Sequence, residues 1–130
     1  MTKRHSVLIV EDRPDLARMT MLVLKQSRFE ADVAHTGQQA MEYIKTRRPD
    51  VMLLDIDLPD MLGWDVLSYL NEEYPSGGTR IIVVTGRRVD AAELMEKMPE
   101  VHQYLMKPVR PNSLVDVIRR ELTYINANSA

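Results

Sequence analysis

The sequence has no cysteine, which excludes disulfides, thiolate metal sites and a cysteine nucleophile. It also lacks a surplus of positive charge, because 17 Lys and Arg stand against 19 Asp and Glu for a net charge of −2. Such a balance offers no field for nucleic acid or an anionic membrane, so neither contact is expected of this chain. Long apolar runs are missing as well. The opening stretch MTKRHSVLIVEDRP has only Val7–Val10 before Glu11 and Asp12, too short for a signal-peptide core or a membrane span. A cytoplasmic protein fits these absences. Internal repeats and low-complexity segments are absent too. What is present is an ordinary globular composition, 45% hydrophobic and 28% charged over 130 residues. That suits one compact domain over residues 1–130, with a core over about residues 5–125 and a polar tail at 126–130. No effector segment is visible in the tail. Both a stand-alone regulator and a piece of a longer chain fit.

Three short apolar runs, VLIV (7–10), VMLL (51–54) and IIVV (81–84), are unbroken rather than alternating. Strands buried on both faces read this way, as in a parallel sheet covered by helices. Weaker strands are expected at 31–34 and 103–106. Between them lie helical periods: Leu16, Thr20 and Val23; residues 37–47; Val66, Leu67 and Leu70; Ala91, Leu94, Met95 and Met98; and Leu114, Val117, Ile118, Leu122 and Ile125. The nine methionines mostly fall on these stripes and read as core filler. Pro14 and Pro111 suit first helical turns, and PSGG (75–78) is a loop. Five β-α units predict a doubly wound α/β sandwich, whose ligands sit beyond the carboxyl ends of the strands.

The residues following the strands are therefore the ones to inspect. Glu11 and Asp12 follow the first, Asp55 the third, Thr85 the fourth and Lys107 the fifth. In a parallel sheet these five converge on one rim. Three carboxylates there concentrate more negative charge than a neutral site tolerates, and a hard cation such as Mg²⁺ is expected. Asp55 can serve as ligand and as nucleophile, since a carboxylate needs no base to attack phosphorus. The Lys107 ammonium and the Thr85 hydroxyl suit the remaining phosphoryl oxygens.

With "VLIVEDRPD", "VMLLDIDLPDMLGWDVL", "IIVVTG" and "YLMKPV" in this order, the chain resembles a receiver domain of two-component signalling over about residues 5–125. That resemblance implies the flavodoxin-like three-layer sandwich with strand order 2-1-3-4-5 and a cis Lys107–Pro108 bond. It implies Asp55 as acceptor of a phosphoryl group from a histidine kinase, a histidine phosphotransfer protein or a small phosphodonor. It further implies Mg²⁺ on Asp12, Asp55 and the Asp57 carbonyl, with Glu11 acting through water, and phosphoryl contacts from Thr85 and Lys107. Tyr104 becomes the switch aromatic, and the face of the fourth helix, fifth strand and fifth helix addresses a downstream effector or a second phosphorylated copy. The haloacid-dehalogenase phosphatases also use DxD, but they want threonine or valine where this chain has Pro59. Their further acid pair lies downstream of the lysine, whereas Glu11–Asp12 lies upstream. The alternative reading is a receiver-fold interaction module that works without phosphate; a metabolite hydrolase lacks a second catalytic acid and a cap.

Plainer readings stand beside these. Glu11–Asp12 could cap the helix near Pro14, Thr85 could be a mere strand former, and Trp64 packs at a helix start. His5, His35 and His102 form no ligand set. Asp57 and Arg87 flank the site where phosphate lifetime would be tuned. MPEVHQ (98–103) departs from the receiver pattern, and Pro99 shortens the fourth helix.

Overall fold

The computed structural model describes residues 4–86 and 91–128. Five strands, β1 (Ser6–Val10), β2 (Glu30–Ala34), β3 (Val51–Leu54), β4 (Arg80–Thr85) and β5 (Gln103–Met106), pair in parallel in the order β2-β1-β3-β4-β5. Helices α1 (Pro14–Gln26), α2 (Gly37–Thr46), α3 (Gly63–Glu73), α4 (Ala91–Lys97) and α5 (Pro111–Asn128) cover the two faces. This is the expected doubly wound sandwich. The Lys107–Pro108 peptide is cis.

Strand alternation divides the core in two. Leu8, Val10, Met52, Leu54, Ile81 and Val83 face one way, packing on Ala40, Ile44, Leu67, Leu94 and Met98 of α2, α3 and the α4 end. Val7, Ile9, Val51, Leu53 and Ile82 face the other way, onto Leu24, Leu114, Ile118 and Leu122 of α1 and α5. All residues of β1 and β3 are buried, which is why those runs are unbroken in sequence. The edge strands β2 and β5 are partly open, hence their weaker signal.

Several local readings change. The buried stripe of α1 is Ala17, Thr20 and Leu24, one step round from Leu16 and Val23. Thr20 belongs there because its hydroxyl donates to the Leu16 carbonyl at 3.0 Å. Methionine as core filler holds for Met52 and Met98 but not for Met19, Met95 and Met106, which are exposed. For Met19 and Met95 helix phase, not hydrophobicity, decides the side, and Met106 ends the edge strand β5. Glu11 and Asp12 do not cap α1: Pro14 is its first residue, so the N-cap position falls on Arg13, which makes no side-chain cap bond. Helix α1 closes with Arg28 at φ 70°, where a glycine is usual; Phe29 N–H bonds to Leu24 O and Arg28 N–H to Lys25 O. Helix α4 does end before Pro99, at Lys97. The side chains of Ala91 and Ile125, from the expected stripes, lie outside the described residues.

Far from the strand ends, the buried Glu121 of α5 accepts from Arg80 and from Gln103 Nε2 at 2.8 Å, tying α5 to β4 and β5. Burial pushes its carboxyl up, but the bonds from Arg80 and Gln103 outweigh it and hold the group below the ordinary value. Nearby, His102 Nδ1 accepts the Ile81 N–H at 3.0 Å while the His102 N–H donates to Ile81 O at 2.9 Å. An acceptor Nδ1 requires a neutral ring; burial, then Arg80, hold its pKa down, against the pull of Glu121. A depressed histidine costs stability as pH falls below its unfolded value of about 6.5, where the unfolded chain takes the proton first. His102→Asn keeps an acceptor at the Nδ1 position and removes the titration. Urea unfolding should show the wild type losing more stability than this variant between neutral pH and mild acid; parallel profiles would reject the assignment.

Candidate functional site

Glu11, Asp55 and Lys107 are each the first residue beyond their strand, and one extra ladder bond holds each of them. Glu11 N–H donates to Ala34 O at 2.9 Å, extending β1 on β2. Asp55 N–H donates to Val10 O at 3.1 Å, extending β3 on β1, and Lys107 N–H donates to Thr85 O at 2.8 Å. The ladder thus runs past the regular strands and aims three side chains at one point.

There they meet. Lys107 Nζ lies 2.6 Å from Glu11 Oε1 and 2.8 Å from Asp55 Oδ2, while Asp55 Oδ1 accepts the Asp57 N–H at 3.1 Å. Both carboxylates are buried, and Glu11 Oε2 has no hydrogen-bond partner among the described residues. Carboxylate oxygens of Glu11, Asp12 and Asp55 all lie within 4.8 Å of one another. Burial pushes the Glu11 pKa up; Lys107 pulls it down and Asp55 raises it, leaving it above the ordinary value. For Lys107, burial disfavours the charge, but Asp55 and Glu11 outweigh it and raise its pKa. Among the described residues, a dry carboxylate oxygen without a donor, in a three-acid cluster served by one ammonium, calls for further positive charge. The donor set is all oxygen, which suits a hard divalent cation such as Mg²⁺.

The sheet brings Thr85 to the same rim, buried at the end of β4. Tyr104 lies two positions back along β5, opposite Val83, on the α4 side with Thr85. Its hydroxyl donates to Met98 O at 3.0 Å and makes a longer contact of 3.4 Å with Leu94 O. Arg87 lies outside the described residues. Trp64 packs against the α2–α4 core, with Lys97 Nζ 5.8 Å from its ring centre. A cavity of about 430 Å³ adjoins the site between α1 and the start of α5, lined by Leu16, Leu53, Val109 and Leu114 with Asp55 and Lys107.

The response regulator receiver domain family matches residues 7–119. The chain belongs to this family. Its relatives include the DNA-binding response regulator MtrA of Mycolicibacterium smegmatis, 34% identical over 121 residues, 93% of this chain and 52% of that protein. Protein Rrf1 of Nitratidesulfovibrio vulgaris is 30% identical over 89% of this chain and 81% of its own length. The receiver domain therefore spans about half the length of the MtrA regulators it matches. In solved structures the likeness extends to a response regulator receiver domain protein from Methanospirillum hungatei, with TM-score 0.87 and 27% identity over 96% of this chain and 98% of the other. A receiver domain from Methylobacillus flagellatus matches with TM-score 0.77 and 25% identity over 91% and 98%. The chain is thus a receiver domain of two-component signalling, a class that exchanges signals with histidine kinases and effectors. Among the described residues no helix is long and apolar enough to cross a membrane.

Three further residues bear on the site. Gly63 begins α3 against the Asp55 carbonyl: a Cβ there would lie 2.7 Å from that oxygen. Asp60 accepts the Gly37 and Gln38 N–H groups. His35, given no role above, places Nδ1 3.0 Å from the Glu11 carbonyl. Only for Asp60 was there a signal, as the third carboxylate of DIDLPD behind a proline.

Proposed function

We propose that Asp55 is the phospho-acceptor of this receiver domain, with Mg²⁺ held by Asp12, Asp55 and the Asp57 carbonyl and, through water, by Glu11. The observation that carries this reading is the buried Glu11–Lys107–Asp55 bridge beside an unpartnered Glu11 oxygen. When bound, Mg²⁺ neutralises phosphoryl oxygens as they gain charge. Asp55 acts without a general base. One of its carboxylate oxygens forms the new P–O bond as the P–N bond of a donor phosphohistidine breaks, the electron pair leaving on the imidazole nitrogen. Lys107, already against Asp55, exchanges carboxylate for phosphoryl oxygen, and the Thr85 hydroxyl binds another. The apolar cavity between α1 and α5 admits the donor side chain of a histidine kinase or phosphotransfer protein, in the cytoplasm. Beyond gaining and losing its own phosphoryl group, the domain turns over no substrate.

We propose the switch on the same residues. As Thr85 draws toward the phosphoryl group, Tyr104 gives up its bond to the Met98 carbonyl. The α4–β5–α5 face then changes its affinity for a downstream effector or a second phosphorylated copy.

Intact mass spectrometry after incubation with acetyl phosphate tests the assignment. A single phosphoryl adduct is expected, requiring Mg²⁺ and absent in Asp55→Asn. A wild type that takes up neither phosphate nor beryllofluoride would instead favour the phosphate-independent interaction module.

A further inference from the structure

Glu11 is clamped at both backbone polar groups by consecutive residues, Ala34 at the end of β2 and His35 just beyond it. Its N–H donates to the Ala34 carbonyl at 2.9 Å. Its carbonyl lies 3.0 Å from His35 Nδ1. A carbonyl only accepts, so Nδ1 carries the imidazole proton and donates it. Peptide planarity passes this constraint to the amide joining Glu11 to Asp12. The aim of Asp12, an exposed residue, is thereby set partly from another loop.

His35 is itself anchored, its N–H donating to Gln39 Oε1 at 2.8 Å. The two amides beyond Thr36 reach to a different loop: Gly37 and Gln38 donate to the Asp60 carboxylate at 2.8 Å and 2.9 Å. Asp60 sits at the tip of the turn closed by Leu58 N–H on Met61 O at 3.2 Å, directly after Asp57. A turn of four residues, 35–38, thus fastens both the β1–α1 loop and the β3–α3 loop.

We propose that His35 and Asp60 are positioning residues for the divalent-cation site, fixing the two acidic loops in register from the head of α2. This rests on reading Glu11, Asp12 and Asp55 as the cation site. Neither His35 nor Asp60 supplies an oxygen or nitrogen to that cluster; each acts on the backbone that carries it. A simple helix-capping role makes a different prediction, since Thr36 caps α2 through its hydroxyl on Gln39 N–H at 3.1 Å without touching either loop.

The test is a Mn²⁺ titration read by the electron paramagnetic resonance signal of the free ion, with thermal unfolding of every variant run in parallel. His35→Leu and Asp60→Ala should each weaken Mn²⁺ about tenfold, the lower end of what lost outer partners of metal ligands cost. His35→Asn, which keeps an N–H donor at the position of Nδ1, should recover most of that loss. Thr36→Ala should lower the unfolding temperature and leave affinity as it was. Wild-type affinity in His35→Leu and Asp60→Ala would overturn the proposal, and so would an equal loss in Thr36→Ala. A wild type that binds no Mn²⁺ while the fold stays intact would overturn the cation-site reading itself, and this proposal with it.

Discussion

Replacing Lys107 by methionine is expected to destabilise the metal-free protein by about 3 kcal/mol near neutral pH, the scale found when one partner of a buried ion pair is removed. The Lys107 ammonium stands between Glu11 Oε1 and Asp55 Oδ2, and side-chain exposure at the three groups is 19%, 7% and 9%. Methionine fills the stem but leaves two desolvated carboxylates facing each other. Glu11 already has a raised pKa with the lysine present; without it, the lowering contribution is gone and the pKa climbs further. A raised carboxyl stabilises the fold below its unfolded pKa and loses that contribution as pH rises through the folded one. The deficit should therefore be small in mild acid and complete at neutral pH. Mg²⁺ should restore much of it, because a ligand that binds only the folded state stabilises by mass action. Urea unfolding with and without Mg²⁺ at the two pH values measures all three effects. A variant as stable as the wild type without metal would show that the bridge contributes little.

Gly63→Ala should cost about 1–3 kcal/mol, the usual range for overpacking, although alanine is the better helix former. The added Cβ would lie 2.7 Å from the Asp55 carbonyl oxygen and 3.0 Å from the Ile56 Cα. Both neighbours are backbone atoms and cannot swing aside. Gly63 N–H also bonds to Ile56 O at 2.7 Å, so α3 cannot withdraw without breaking that bond. The end of β3 must shift, and Asp55 with it. Phosphoryl uptake from acetyl phosphate should slow by about tenfold to a hundredfold, as expected of a displacement near 1 Å at a reacting group. Denaturation together with a mass-spectrometric time course measures both losses; wild-type values for both would mean that α3 absorbs the methyl group elsewhere.

The Glu121 and His102 contacts show which features a single sequence signals and which it does not. Strands β1, β3 and β4 announced themselves because burial on both faces leaves little room for polar residues, and this constraint acts residue by residue. His102 looked idle because its Nδ1 serves an amide 21 positions away. Arg28 at a left-handed helix end gave no warning either, since the usual mark of such a position is glycine.

Local pattern by itself determined the five β-α units, their bounds to within a few residues, and the rim on which Glu11, Asp12, Asp55, Thr85 and Lys107 would gather. Each of these is the first polar residue after an apolar run, or in the case of Asp12 the second, and a parallel sheet must bring such residues to one edge. Strand order entered through the likeness to receiver domains, because periodicity says nothing of which strand lies beside which. That Lys107 would pair with the carboxylates in the absence of phosphate followed from their meeting on one rim. Only the tertiary structure decided that it bridges Glu11 and Asp55, across 96 and 52 positions, and that Gly63 bears on the Asp55 carbonyl. Only it showed His35 and Asp60 reaching 24 and 23 positions to fasten the acidic loops. The physical reason is common to all of them: a hydrogen bond or a steric contact depends on distance in space, and residues far apart in the chain leave no joint trace in a single sequence.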